Sequence, residues 1–347
     1  MAEAVCGESS AMSDLDTKAD STPTQPAPVP PAFAAATQAP YALTLFFGPD
    51  GLRPGWGLLL YGMIFYPLQE LAAALAFLRD FGAGGLWSAL LEEAGRVAAA
   101  FVPLVILAPI ERRSWGIYGL PVRHALGKLF WSGAVWGFAG VSLLISALYG
   151  LHVFAFGHVA LHGVRLAKFA AFWAAMFMLV AFFEEFLLRG YAQFTLARGI
   201  GFWPAGIVLS CAFGLIHLGN GGEQWPGLLA AAFIGLFSCL TLRRTGNLWF
   251  SVGFHAAWDW GETFFYSVPD SGLVFPGHLL HSSLQGPRWL SGGSVGPEGS
   301  VLCFVVIAMA WVAFDRMYPK ASVASAQPCP TTADLSSHRG PRQHSSE

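Results

Sequence analysis

The chain has 347 residues, of which 54% are hydrophobic and 12% are charged, and its formal net charge is -2. A soluble domain usually carries about 25% charged residues, so this shortage of charge, with a mean hydropathy of +0.52, indicates a chain solvated by lipid. The sequence contains no block of basic residues, and nucleic acid is therefore excluded as an expected partner.

The two ends of the chain are predicted to be disordered. Residues 1–40 are rich in Pro, Ala, Ser and Thr, and residues 319–347 are similarly polar. Such segments cannot bury enough apolar surface to offset the entropy that is lost on ordering. Between them, residues 41–318 are expected to form one membrane domain, and the candidate functional motifs fall within 110–266.

Eight segments of this domain are predicted to be membrane-spanning helices, because each approaches the roughly 20 apolar residues that cross the hydrocarbon core. The second segment is the shortest and begins beside Glu92, Glu93 and Arg96. A long loop rich in Gly, Pro and Ser is predicted at 268–300. The predicted fold class is therefore all-α, a polytopic transmembrane helical bundle of about eight helices. The predicted spans are 56–78, 95–110, 128–150, 169–190, 202–219, 226–242, 247–266 and 301–315.

The distribution of basic residues predicts how the bundle is oriented. Loops on one side hold more Lys and Arg than loops on the other, which places the richer side in the cytoplasm. Both termini then lie in the cytoplasm, and the expected location of this multi-pass protein is the inner membrane of a bacterium. The richer side holds Arg112, Arg113, Arg123, Lys128, Arg198, Arg243, Arg244, Arg316 and Lys320, and the other side holds Arg79, Arg96, Arg165, Lys168 and Arg288.

The fourth predicted span ends in a pair of glutamates. Ionisable residues inside spans cost roughly 2.5–3.5 kcal/mol on insertion scales and usually serve a purpose. Residues four apart share a helix face, so Glu185 can pair with Arg189, whereas Glu184 is turned about 100° away and has no local cation. Glu184 is a candidate general base. The structural alternative is a Glu185–Arg189 bridge with Glu184 at the membrane interface.

Two further apolar segments contribute histidines. His217 follows Phe213 by one turn, and taken alone it is more often a hydrogen-bonded interior histidine than a catalytic one. His255 and Asp259 are also one turn apart and project from one helix face. Their structural alternative is a hydrogen bond that neutralises two buried polar groups. Glu262 lies one turn further along and has no assigned role.

Together, Glu184, His217, His255 and Asp259 offer oxygen and nitrogen ligands from three apolar helices. Such a set can hold a divalent metal, with zinc as the preferred ion, or can activate water directly. The sequence therefore predicts a shared site for these four residues within the bilayer.

The order of these motifs resembles that of the CPBP family of intramembrane metalloproteases, which includes the CAAX prenyl endopeptidases and is also called the Abi family. The resemblance covers about 110–266. It implies an intramembrane endopeptidase that acts on a peptide or a lipidated protein tail. The motifs that carry it are EExxxR from Glu184 to Arg189, FxxxH from Phe213 to His217 and HxxxD from His255 to Asp259.

The resemblance also implies roles for single residues. Glu184 and His217 would activate the attacking water. His255 and Asp259 would either complete a metal site or stabilise the oxyanion. Many members of the family have Asn where this chain has Asp259, and an ionised Asp cannot donate a hydrogen bond to an oxyanion. Asp259 is therefore expected to be a metal ligand, an orienter of His255 or a protonated acid.

Structural support is implied for two other residues, Glu185 and Arg189, which would hold their helix in place. The competing function is a non-catalytic membrane scaffold or a transporter that uses the same polar residues structurally. The missing internal repeat weighs against a transporter, and the order of the motifs weighs against a scaffold.

Overall fold

Long apolar helices dominate the part of the chain that the structure describes. The computed structural model describes residues 41–49, 51–79 and 85–319. The predicted disordered segments, 1–40 and 319–347, lie outside them except for Pro319. A helix forms at each of the eight predicted spans, which confirms the polytopic all-α bundle. Within the described residues, six helical segments are long and apolar enough to cross a membrane.

The helices are numbered in chain order, and short strands form two antiparallel pairs, β1 with β2 and β3 with β4. The helices are α1 (Tyr41–Phe46), α2 (Pro54–Arg79), α3 (Leu86–Ile110), α4 (Lys128–Gly150), α5 (Gly163–Leu187), α6 (Gln193–Ile200), α7 (Phe202–Ile216), α8 (Trp225–Thr245), α9 (Trp249–Trp260), α10 (Arg288–Ser291) and α11 (Val301–Met317). The strands are β1 (Phe47–Gly48), β2 (Gly51–Leu52), β3 (Phe154–Ala155) and β4 (Ser283–Leu284).

Helix α3 begins at Leu86 rather than at residue 95, where the sequence predicted its start. The charged residues in its first turns neutralise one another inside the helix. Arg96 Nη2 lies 2.6 Å from Glu92 Oε1, and Arg96 Nη1 lies 3.3 Å from Glu93 Oε2. These partners are four and three residues apart, so the ion pairs stabilise the helix. Glu92 and Glu93 therefore lie inside α3, whereas the sequence prediction placed them before the start of the span.

The fourth span is also longer than predicted. Helix α5 is followed by the turn Leu188–Ala192, which is kinked at Gly190 (φ of -83°, ψ of -118°), and then by α6, so the helical segment runs from Gly163 to Ile200 with a kink within it. Arg189 lies in this turn and is fully buried. The kink at Gly190 thus follows the paired glutamates directly.

Helix α9, which carries two predicted site residues, is held tightly in the bundle. Gly133 and Gly137 of α4 face its backbone, because a Cβ atom at either glycine would overlap the carbonyl oxygen of Phe250 or Phe254. Small residues allow such close helix contacts in membrane proteins. Gly253 makes the reciprocal contact with the backbone of α4. The glycines therefore fix the distance between α4 and α9.

The turn that precedes α9 sets its starting point. Gly246 ends α8 in the left-handed conformation with φ of +73°, which glycine adopts without strain. Asn247 Oδ1 then accepts a hydrogen bond from the backbone N–H of Trp249 at 3.1 Å. Gly246 and Asn247 thus end one helix and lead into the next.

The predicted loop at 268–300 is present and carries short elements of its own. Its strand β4 pairs with β3, with Leu284 opposite Phe154. A 3₁₀ turn, Pro297–Gly299, leads into α11. At its other end the loop follows a π-helical segment, Gly261–Tyr266, that extends α9.

Candidate active site

One cavity of about 610 Å³ gathers the four predicted site residues. Glu184 reaches it from α5, His217 from the 3₁₀ turn that follows α7, and His255 and Asp259 from α9. Three separate stretches of sequence thus supply one polar site.

His255 lies at the centre of this site, within ion-pairing distance of three carboxylates. Its Nε2 is 3.3 Å from Asp259 Oδ2 and 3.6 Å from Glu184 Oε2. On the other side of the ring, Nδ1 is 3.4 Å from Glu185 Oε1. The side chain of His255 is 11% exposed and that of Glu184 is 24% exposed, so the cavity reaches both. The imidazole therefore connects the two neighbouring glutamates of α5 to Asp259.

The two glutamates occupy different environments. Glu185 is fully buried, where its Oε1 lies 3.5 Å from Arg189 Nη1 and accepts a hydrogen bond from Ser238 Oγ at 3.3 Å. The Arg189 guanidinium also stacks on the ring of Phe213, 4.4 Å from its centroid, as a cation–π contact. Glu185 thus anchors the helix, and Glu184 is left facing the cavity.

The hydrogen bond of His217 determines which of its ring nitrogens is basic. Nδ1 lies 2.7 Å from the carbonyl oxygen of Phe213. A carbonyl can only accept, so Nδ1 carries the proton, and in neutral His217 the lone pair is on Nε2. The Phe213 ring meets His217 edge-on at 4.8 Å and His255 at 6.2 Å between centroids. Phe213 therefore contacts both imidazoles.

Charged residues of α3 line the cavity and were not predicted as site residues. Glu93 and Arg96 of α3 line the same cavity as Glu184, and Glu93 is only 4% exposed. Their charges were interpreted as the boundary of a short span. The signal that could have identified them is the one used for Glu184, an ionisable side chain inside an apolar helix.

The separations around His255 bear on the predicted metal. Ligands of one tetrahedral zinc ion, bound at about 2.0–2.1 Å, lie roughly 3.3–3.4 Å apart, and the 3.3 and 3.6 Å separations of His255 Nε2 from its two cavity-facing carboxylates are close to that value. Within the described residues, however, the group whose donor atoms all lie within 4.8 Å of one another is a separate cluster of carboxylates. The four predicted ligands share a cavity without forming such a group, and zinc stays a prediction.

That second cluster consists of Glu262, Asp270 and Glu298, all of them buried. The loop residues Asp270 and Glu298 also line the cavity. Burial raises the pKa of Asp270 well above its ordinary value, and the neighbouring charges of Asp259 and Glu298 add to this effect. Burial likewise raises the pKa of Glu298, against the lowering effect of its hydrogen bonds from Ser271.

Comparison with known families agrees with the resemblance seen in the motifs. A family model described as type II CAAX prenyl endopeptidase Rce1-like matches residues 166–261. The matched stretch begins in α5 and ends just after α9, so it contains the four predicted site residues. Neither the curated proteins nor the solved structures gave a significant match. The family match supports a membrane-embedded, multi-pass endopeptidase of the CAAX type.

Proposed function

With residues 166–261 matching the Rce1-like endopeptidase family, we propose that this protein hydrolyses a peptide bond inside its cavity with a water molecule that Glu184 and His217 activate. The observation that supports the proposal is that Glu184, His217, His255 and Asp259 all line one cavity. A cavity within a helical bundle shields the reaction from bulk solvent, which strengthens the electrostatic interactions inside it.

Glu184 is the proposed general base. Its carboxylate faces the cavity, whereas the neighbouring Glu185 is buried against Arg189. In the proposed step Glu184 accepts a proton from water, the hydroxide oxygen bonds to the carbonyl carbon, and the carbonyl π-electrons move to oxygen. The lone pair on His217 Nε2 orients the same water. General base catalysis of this kind contributes about 10²–10⁴-fold.

His255 is proposed to serve the second half of the reaction. When it is protonated on both nitrogens, Nε2–H can stabilise the oxyanion and then pass its proton to the leaving amine as the C–N bond breaks. Glu185 Oε1, 3.4 Å from Nδ1, orients the ring, and Asp259, one turn away and 3.3 Å from Nε2, favours its doubly protonated form. This assignment gives an ionised Asp259 a role that needs no hydrogen-bond donor.

The proposed substrate is a peptide or a lipidated protein tail that enters from the bilayer. Apart from Glu184, the residues that α5 contributes to the cavity are apolar, and Arg96, Glu92 and Glu93 of α3 also line it. An apolar wall beside a polar site suits a substrate with a hydrophobic part and a scissile peptide bond. The apolar wall is formed by Trp173, Met176, Phe177, Val180 and Phe183.

Glu184→Gln tests the proposed base. We expect the substitution to lower kcat by about 10²–10⁴-fold on prenylated or unprenylated peptides, because the amide cannot accept the proton of water. The matched control is Glu70→Gln, which makes the same change at an exposed glutamate of α2 and should leave the activity unchanged. Activity that survives both Glu184→Gln and His217→Ala would remove these residues from the mechanism. A parent protein without peptidase activity, combined with loss of folding in each single variant, would favour the scaffold or transporter instead.

The proposed divalent metal at the same residues is tested separately. Metal analysis of purified protein, with activity measured before and after chelation, is expected to find a weakly bound divalent ion. Asp259→Ala should lower the content of that ion, because it removes one of the two carboxylates near His255 Nε2. Activity that is insensitive to chelation would assign the chemistry to the protein side chains alone.

A further inference from the structure

A second polar centre lies beside the proposed active site, and the catalytic proposal does not use it. It brings together Glu262 from the π-helical extension of α9, Asp270 from the following loop, and Glu298 from the 3₁₀ turn before α11. One donor oxygen of each lies within 4.8 Å of the donor oxygens of the other two. Glu262 is fully buried, and the other two residues are 8% exposed.

The charges of this cluster have no counter-charge among the described side chains. Both carboxylate oxygens of Glu262 are buried without a hydrogen-bond partner. Within the described residues, none of the three carboxylates forms an ion pair with a Lys, Arg or His. Burying an ionised carboxylate costs several kcal/mol unless it is compensated. The cluster therefore requires either bound protons or a cation.

Neighbouring hydroxyl and amide groups orient two of the carboxylates. Thr263 Oγ1 donates to Asp270 Oδ2 at 2.9 Å. The backbone N–H and the hydroxyl of Ser271 donate to Glu298 Oε2 at 3.1 and 2.6 Å. Each carboxylate is thereby fixed through one oxygen, and its second oxygen stays available. Supporting hydrogen bonds of this kind hold ligands in place at metal sites.

We infer that Glu262, Asp270 and Glu298 bind one hard divalent cation of the Ca²⁺ class. The site offers carboxylate oxygens and no nitrogen or sulfur, which is the ligand chemistry of Ca²⁺ rather than of zinc. Donor oxygens that all lie within 4.8 Å of one another can reach one ion at Ca²⁺–oxygen distances of about 2.3–2.6 Å. Mg²⁺ usually keeps several waters and is held by one or two carboxylates, whereas a site with three carboxylates suits Ca²⁺.

A cation here would join three segments and support one wall of the cavity. Glu262, Asp270 and Glu298 belong to the end of one helix, the loop that follows and the start of another helix. Ser271, which holds Glu298, also accepts a hydrogen bond on its carbonyl oxygen from Asn220 Nδ2 at 2.8 Å. Asn220 directly follows the 3₁₀ turn that carries His217. The ion would therefore hold the loop against the segment that presents His217.

Calcium binding by the full-length protein tests this inference without reference to peptidase activity. The protein is purified in detergent, treated with EDTA, and titrated with Ca²⁺ by calorimetry. We expect one Ca²⁺ per chain in the parent and in the His217→Ala/His255→Ala variant, which removes the nitrogen ligands of the proposed active site. Glu262→Gln should weaken the affinity by at least about tenfold, which is 1.4 kcal/mol. Glu70→Gln is the matched control and should bind as the parent does.

A thermal measurement covers the case in which Glu262→Gln fails to fold. A ligand that binds only the folded state raises the unfolding temperature, so Ca²⁺ should raise the Tm of the EDTA-treated parent and should not raise that of Asp270→Asn/Glu298→Gln. A parent that binds no Ca²⁺, or a Glu262→Gln variant that binds it as tightly as the parent, overturns the inference. Preference for Zn²⁺ over Ca²⁺, or loss of binding in His217→Ala/His255→Ala, would assign the ion to the proposed active site instead. Neither readout depends on hydrolysis, so failure of the proposed function is distinguishable from failure of this inference.

Discussion

Two buried charge clusters lie within one turn of each other along α9 and its π-helical extension, and they balance their charges differently. In the first, Glu185 has a cationic partner in Arg189, 3.5 Å away, and the ring of His255 lies 3.4 Å from the same oxygen. In the second, the fully buried Glu262 meets Asp270 and Glu298 with no cationic side chain among the described residues. The two clusters are equally buried, so burial alone does not explain the difference.

The difference shows where the fold supplies its own counter-charge and where an outside one is needed. A buried carboxylate beside Arg189 is neutralised by the chain itself, which suits a structural support. Three carboxylates facing one another require protons or a cation from outside. The same residue type therefore has a structural role in one cluster and a ligand role in the other.

The largest expected loss of stability comes from Arg189→Met, which removes the cationic partner of Glu185 in the first cluster. Removing one partner of a buried ion pair leaves an uncompensated charge and typically costs 3–5 kcal/mol. We expect about 3 kcal/mol, at the lower end of that range, because the 3.5 Å separation is long for a hydrogen bond. The free energy of unfolding in a detergent titration measures the loss.

Two comparisons show whether charge is the cause of that loss. Arg316→Met makes the same change at an exposed arginine of α11 and should leave stability nearly unchanged. Glu185→Gln combined with Arg189→Met should recover part of the stability, because no ionised carboxylate is then left buried. A double variant as unstable as Arg189→Met alone would assign the effect to lost packing on Phe213.

A smaller loss of stability is expected from displacing α9, which, with its π-helical extension, contributes residues to both clusters. In Gly137→Ala the added Cβ would overlap the carbonyl oxygen of Phe254, so α4 and α9 must separate. Overpacking of this kind costs about 1–3 kcal/mol, and the displacement of His255 should lower peptidase activity as well. Gly62→Ala is the control, because a Cβ at Gly62 of α2 meets nothing within 4 Å. An active, fully stable Gly137→Ala variant would contradict the tight contact between these helices.

Much of the fold could be predicted from the sequence because the membrane permits few solutions. A backbone in lipid must satisfy its own hydrogen bonds, so long apolar segments become helices. Local spacing also predicts local contacts, such as those between Glu185 and Arg189 and between His255 and Asp259, which are each four residues apart. Hydrophobicity, however, does not locate helix ends, because ion pairs at Glu92, Glu93 and Arg96 extend α3 beyond its predicted start.

The contacts that the sequence could not predict are those between distant segments. Glu262 was noticed as a carboxylate without a role, but Asp270 and Glu298 lie in the long loop and had no pattern that linked them to it. Their encounter depends on how the loop returns to the bundle, which is set by contacts such as that of Leu284 with Phe154. Neither helical periodicity nor motif spacing predicts how the loop folds back onto the bundle.

The smallest expected effect gives the clearest comparison, because a Glu→Gln substitution should change the free energy of unfolding in opposite directions in the two clusters. In cation-free protein at neutral pH, the buried Glu262 carboxyl group either stays ionised beside two other acidic groups or takes up a proton, and both cost folding free energy. Glu262→Gln removes that cost and keeps the side-chain shape, so we expect it to raise the free energy of unfolding by about 1 kcal/mol. Glu185→Gln should lower it, because Arg189 loses its partner. Saturating Ca²⁺ should make Glu262→Gln destabilising, because the ion stabilises the parent through the carboxylate that this variant lacks. The destabilisation by Glu185→Gln should not change with Ca²⁺. Destabilisation by Glu262→Gln with and without Ca²⁺ would mean that Glu262 has a partner in the protein, and the contrast between the clusters would then be lost.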